Sequence, residues 1–212
     1  ADYRFKRQAQ ELFIDFWEIP KEDDRSNRDG IYFSKNEIFF DKKFKFIFLD
    51  TRFFRSKLKG KKSNYVENIE PDATILGDDQ WMWLENELKN DFDFLFIFSS
   101  IQIIATDHRF EKWSNFPNER VKLFELLEQS SDKTMFFSGD RHRAGIYRKN
   151  GIIEVTSSSM NKPGSFFNET DNYLIGKTYP QENYSVLEIF ENTIKINIKD
   201  VNGNNLDTVE HK

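Results

Sequence analysis

The stretch "TMFFSGDRHRAGIYR", Thr134 to Arg148, decides how this chain folds and what it can do. An apolar run stops at Gly139, and Asp140 and His142 follow two residues apart among three arginines. Two readings stand open: an ion pair closing a strand, or two ligands of a metal site. In an extended segment both side chains would project to one side, with Cα atoms roughly 6.5–7 Å apart. That separation suits one ion, or one ligand to each of two ions about 3.5–4 Å apart. Gly139 would permit a sharp turn or a close backbone approach. Two ligands do not complete a site, and His108 and His211 are the other histidines.

The same design recurs twice upstream. "KFIFLDTR" ends in Asp50, Thr51 and Arg52, and "FLFIFSSIQ" ends in Ser99, Ser100 and Gln102. Apolar runs of this kind suit strands buried on both faces. Helical segments between them favour parallel strands whose carboxyl ends share one edge, where open α/β sheets bind ligands. Asp140, His142, Arg52 and Gln102 are therefore expected at one edge. Arg52 has the planar fork for a phosphate or carboxylate, or it pairs with Asp50 or another acid.

Around these runs the pattern is mixed α/β. "YRFKRQAQELFIDFWEIP" places Phe5, Ala9, Leu12, Phe13, Phe16 and Trp17 at helical spacing, ended by Pro20. Asp78 or Asp79 can cap a helix with Trp81, Leu84 and Leu88 on one face. A third helix is predicted after Pro117, with Val121, Phe124 and Leu127 inward. Beyond residue 144 the chain turns to hairpins: Asn150-Gly151 is a type I′ turn signal, and "YSVLEIFENTIKINIKDVNG" reads as another antiparallel pair. His108 reads as a loop residue and His211 as part of the terminal tail. No repeat or domain boundary interrupts residues 1–212, so a single domain is expected.

Composition excludes several classes. The net charge is −5 over 212 residues without a basic run, which argues against nucleic acid as a partner. No apolar stretch approaches the roughly 18 residues of a membrane span. Cysteine is absent, so a metal would be held by oxygen and nitrogen ligands. No G-x-S-x-G elbow, P-loop or dinucleotide fingerprint is present.

Six segments in order carry a resemblance to a known family: "ELFIDFWEIP", "IFLDTRFFRS", "ILGDDQWMWLENEL", "SSIQIIATDHRFEKWSNFPNER", "FFSGDRHRAGIYR" and "EVTSSSMN". "NYSVLEI" fits the strand that commonly follows. Together they resemble the carboxyl-terminal part of alkaline phosphatase D (PhoD-like) metallophosphatases. The resemblance implies a four-layer α/β/β/α sandwich, closed here by carboxyl-terminal antiparallel hairpins. It also implies metal-dependent hydrolysis of phosphate mono- or diesters, in a periplasmic or secreted setting. Asp140 and His142 match the G-D-x-H motif that contributes metal ligands, with calcium and/or iron as the implied centre. Arg52, in the "LDTR" motif, and Gln102 are the implied contacts to substrate phosphate.

The family's earlier acidic motifs do not occur in this sequence: a G-D pair, a second G-D with a nearby Tyr, and W-D-D-H-D followed by N-D. The chain is accordingly expected to be the carboxyl-terminal half of the phosphatase domain, with the amino-terminal half of the same protein as its partner. The alternative is a non-catalytic binding domain, a degenerate relative lacking a full metal site.

Overall fold

A computed structural model describes residues 3–164 and 167–212. The chain begins with helices α1 (Lys6–Phe16) and α2 (Asp24–Asn27), then strands β1 (Phe33–Phe39) and β2 (Lys42–Phe48). A small hairpin, β3 (Lys59–Lys61) and β4 (Asn64–Val66), precedes helix α3 (Gly77–Glu87) and strand β5 (Phe94–Ser99). Helix α4 (Pro117–Leu126) leads to β6 (Thr134–Ser138), β7 (Ala144–Lys149) and β8 (Ile152–Thr156). Last come β9 (Leu174–Tyr179), β10 (Asn183–Phe190), β11 (Thr193–Asp200) and β12 (Asn205–His211).

Seven strands form one sheet in the order β1-β2-β5-β6-β8-β7-β9. The four central neighbours β2, β5, β6 and β8 are parallel, with Phe46 opposite Phe96, Phe96 opposite Met135 and Met135 opposite Ile153. Their carboxyl ends therefore share one edge. β1 closes one side antiparallel, and β7 pairs antiparallel with both β8 and β9. The β7–β8 turn has Asn150 at φ 49° and Gly151 at φ 86°. Two left-handed residues are what a type I′ turn requires.

Alternation along the central strands separates two apolar cores. Ile47, Leu95 and Ile97 meet Trp81 and Leu84 of α3 and Leu123 of α4. Phe44, Phe96, Met135 and Ile153 point the other way, onto Ile194, Ile196, Ile198 and Val209 of a three-stranded sheet β10-β11-β12. The order of layers is helix, sheet, sheet. The expected four-layer sandwich has one layer more, and no helix of the described residues belongs to the apolar cluster between the two sheets. No helix is long and apolar enough to cross a membrane among the described residues.

The abundance of phenylalanine has a packing consequence. Phe33, Phe48, Phe98 and Phe137 occupy opposed positions on β1, β2, β5 and β6. Their rings stack with centroids 4.4, 4.5 and 4.9 Å apart. This ladder crosses four strands, and all four rings are only half-buried.

Several local expectations change. α1 ends at Phe16, ahead of Pro20, and Leu12, Phe16 and Trp17 stay exposed rather than forming a core stripe. In α4, Leu123 is fully buried while Val121 is exposed, because two residues at 100° each turn Val121 away from the inward face. α3 takes no side-chain cap from Asp78 or Asp79; Thr74 Oγ1 accepts from Gly77 N at 2.8 Å, and both acids sit in the first turn, where the helix dipole favours them. His211 is not in a loose tail but in β12, its ring edge-on to Phe94 at 6.0 Å.

Candidate phosphate and metal edge

At the carboxyl edge, β2 runs into Asp50, Thr51 and Arg52. Asp50 is consumed by the backbone: Oδ1 accepts from Arg52 N and Phe53 N at 2.9 Å, and Oδ2 accepts from Ile31 N at 3.0 Å. Gln80 fixes the same residue from α3, through bonds of 2.9 Å to its N–H and its carbonyl. Asp50 is thus a loop organiser that turns Arg52 outward. The Arg52 guanidinium lies 2.5 Å from Glu111 Oε2 and 3.6 Å from Asp140 Oδ2. Both members of the Arg52–Asp140 pair are about half exposed, at 47% and 49%.

The segment after β6 is not extended. Asp140 has φ 64° and His142 φ 54°, both in the left-handed region. Non-glycine residues there cost about 1–3 kcal/mol each and persist where the surroundings hold them. A bent loop, rather than the pleat of a strand, therefore presents the two side chains. The arginines between and after them turn inward. Arg141 and Arg143 are buried and both pair with Glu169, Arg143 Nε at 3.4 Å, and Arg141 also lies 4.7 Å over the Phe110 ring. With two cations anchored, Asp140 stays exposed and His142 half-buried beside it.

His142 is held through its backbone. Its N–H donates to Ser158 Oγ at 3.3 Å and its carbonyl accepts from Gly164 N at 2.7 Å. A Cβ on Gly164 would stand 2.5 Å from that carbonyl oxygen, so the close approach belongs to Gly164. Gly139 has nothing nearer than 3.9 Å to a built Cβ, so of its two expected uses the close approach is absent, while Arg141 N donates to its carbonyl at 2.8 Å across a sharp turn. The His142 imidazole makes no hydrogen bond among the described residues.

Gln102 lies beneath the edge. It is buried, and its amide donates to Thr156 Oγ1 at 2.8 Å, which in turn bonds Ser138 Oγ at 2.8 Å. This chain of bonds ties the ends of β5, β6 and β8 together. The edge brings Arg52 and Asp140 into contact and keeps Gln102 under the surface.

Two buried titratable groups support this edge. Glu154, centred in β8, accepts from Ile103 N at 2.9 Å and Ile104 N at 2.6 Å, while Arg120 donates to the carbonyls of the same two residues at 2.7 Å each. Burial pushes the Glu154 carboxyl up. A lone acid in the short apolar run "IIEVT" was the available signal, and sequence reasoning passed over it. His108 is largely buried in the same loop region. Burial first, and then Arg141, Lys112 and Arg143, press its pKa down to about 2. Its Nδ1 accepts from Phe110 N at 3.2 Å, which makes it a neutral structural histidine. Among the described residues no three His, Cys, Asp or Glu side chains gather as a metal cluster.

Residues 4–188 match the sequence model of the PhoD-like phosphatase family. Among solved structures, the chain is similar to PhoD, at 14% identity and a TM-score of 0.61, over 77% of this chain and 37% of that one. It is also similar to GAP50, the anchor in the inner membrane complex of Plasmodium, at 16% identity and a TM-score of 0.61, over 86% of this chain and 54% of that one. The chain thus spans between about a third and a half of the length of these relatives. No curated protein matches it. With the family model covering most of its length, the chain belongs to the PhoD-like phosphatase family.

Proposed function

We propose that this chain carries part of a metal-dependent phosphoesterase centre, hydrolysing phosphate mono- or diesters. Asp140 and His142 would hold a metal, and Arg52 would receive two phosphate oxygens through its planar fork. The observation that carries this reading is the approach of Arg52 to Asp140 at 3.6 Å across the carboxyl edge. A phosphate-binding cation and a carboxylate at that separation are the parts a phosphoryl site needs side by side. Family membership supports the reaction class.

The donor set fits a metal in kind. Asp140 offers half-exposed carboxylate oxygen, and His142 an imidazole with no other hydrogen bond among the described residues. Oxygen suits calcium and imidazole suits iron, in keeping with the calcium and/or iron centre the resemblance implies. Such an ion would neutralise phosphate charge and lower the pKa of an attacking water. Arg52 orients the ester, and Glu111 holds Arg52 in place until phosphate competes for it. Gln102 serves by fixing the ends of β6 and β8.

In number the donors fall short, since calcium usually takes about 6–8 oxygens. We assign the missing ligands to an amino-terminal half of the same protein, which would complete a four-layer sandwich. The half-buried phenylalanine ladder, and an edge of β10 with no partner strand among the described residues, support a further layer there. A periplasmic or secreted setting, with no nucleic-acid partner, accords with the family resemblance and the acidic charge.

The test is an assay of residues 1–212 and of the longer polypeptide with p-nitrophenyl phosphate and bis(p-nitrophenyl) phosphate, in calcium, manganese, iron or zinc. We expect ordinary turnover, about 1–1000 per second, from the longer polypeptide alone. Asp140→Ala and His142→Ala should lower its metal content and turnover together. Full turnover with unchanged metal in both variants would overturn the assignment.

A second reading, a non-catalytic binding domain, is favoured by the likeness to GAP50, which is described as an anchor. A longer polypeptide that binds no metal at this edge would decide for it.

A further inference from the structure

A crevice of about 480 Å³ runs beneath α1 and is lined at one side by Arg52. Its apolar walls are Ala9 and Phe13 of α1 with Ile31, Leu49 and Phe53. Its neutral polar linings are already engaged. Gln10 accepts from Gly30 N at 2.8 Å and donates to Arg28 O at 2.7 Å, and Thr51 Oγ1 bonds Ser100 Oγ at 2.5 Å. Lys6 Nζ is drawn to the carbonyl of Phe53 at 2.9 Å. Asp50 is held by backbone N–H groups, and the buried Arg55 pairs with Glu111 at 3.0 Å, which leaves an apolar chamber of ligand size with the half-exposed Arg52 guanidinium beside it.

A ligand that satisfies both features has an anionic head and an apolar body. We infer that the crevice receives the organic group of the substrate ester, a single aromatic ring or a comparable apolar alcohol, while Arg52 holds the phosphate. This rests on the proposed role of Arg52. A sugar or glycerol group gains little here, because its hydroxyls would leave water for walls that offer few unengaged partners. The crevice thus selects among phosphate esters by their alcohol, and α1 is the selecting wall.

Calorimetric titration of residues 1–212 with inorganic phosphate, glycerol 2-phosphate and phenyl phosphate tests this. Burying one ring should make phenyl phosphate bind roughly tenfold or more tightly than inorganic phosphate. Glycerol 2-phosphate should bind like inorganic phosphate. Ala9→Trp, on an exposed helix position, should fill the crevice and remove the phenyl advantage while leaving inorganic phosphate unchanged. Phe13→Ala, which strips one wall, should reduce the same advantage. Arg52→Gln should weaken all three ligands. Equal binding of phenyl and inorganic phosphate, or an advantage that survives Ala9→Trp, would overturn the inference and leave the phosphate role of Arg52 standing. Failure of all three ligands to bind would overturn both.

Discussion

Arg52 follows β2 and Asp140 follows β6, with β5 between those strands, yet their side chains meet at 3.6 Å above the sheet edge. The loop after β2 and the left-handed turn after β6 therefore meet across the end of the intervening strand. A pair this exposed contributes little to folding, because water and salt screen it. Arg52→Gln and Asp140→Asn should therefore each shift unfolding free energy by less than about 1 kcal/mol in urea titration. A loss above about 2 kcal/mol would mark the pair as structural and count against a ligand-binding role.

Glu154 should behave in the opposite way. Its two oxygens satisfy the N–H groups of Ile103 and Ile104 in a fully buried setting. Glu154→Ala leaves two buried donors unpaired and should cost roughly 2–5 kcal/mol, measured by urea or thermal unfolding. A cost under 1 kcal/mol would show that the loop holds itself.

The same carboxyl gives a pH signature. Its folded pKa is raised above the ordinary glutamate value of 4.5, so the protonated form is the one folding favours. Its contribution is complete below pH 4.5 and is lost as pH rises from there through the raised value. Relative to Glu154→Gln, the native chain should lose stability across that window. Parallel curves for the two proteins would refute the assignment.

His108 carries the opposite slope. Its pKa is pressed from 6.5 to about 2, so folding favours the neutral ring. Stability tied to it is present above pH 6.5 and declines as pH falls, by up to about 1.4 kcal/mol per unit. The imidazole proton resonances of His108 should show no titration from pH 8 to pH 5 in the folded chain. A midpoint near 6.5 would refute the buried neutral state.

Gly164 and Gly139 form a matched pair of tests. Gly164→Ala drives a methyl against the His142 carbonyl and should destabilise by about 1–3 kcal/mol, with weaker metal retention in the longer polypeptide. Gly139→Ala meets nothing closer than 3.9 Å and should stay within about 0.5 kcal/mol of the native chain. Reversed outcomes in unfolding titrations would show that the G-D-x-H glycine is the constrained one.

Much of the scaffold was legible from the chain itself. Apolar runs ending in polar residues mark parallel strands, and the Asn150-Gly151 turn is written in two letters. The limits have physical causes. β12 is an edge strand with apolar side chains only at Leu206 and Val209 and Val209 alone buried, so it carries little of the apolar pattern that marks a strand. The bent G-D-x-H loop depends on Glu169 drawing Arg141 and Arg143 inward, a partner more than twenty residues away that no local spacing reveals. Glu154, inside β8, looks like any polar residue of a strand, and Gln102 like a surface contact, until the fold buries both under the edge.

The phenylalanine ladder also has a history in time. The β7–β8 hairpin closes over two residues and can form within about 1–10 μs. Phe48 finds Phe98 only after residues 49–93 have been looped out, and Phe98 finds Phe137 only after residues 100–133, so the parallel core must assemble later. Phe33 and Phe48 can meet early, in the equally local β1–β2 hairpin, but until the parallel core forms Phe98 and Phe137 stand on unpaired strands. That interval is when a chaperone would meet this protein, and slower synthesis or lower temperature during expression should raise its soluble yield more than added salt.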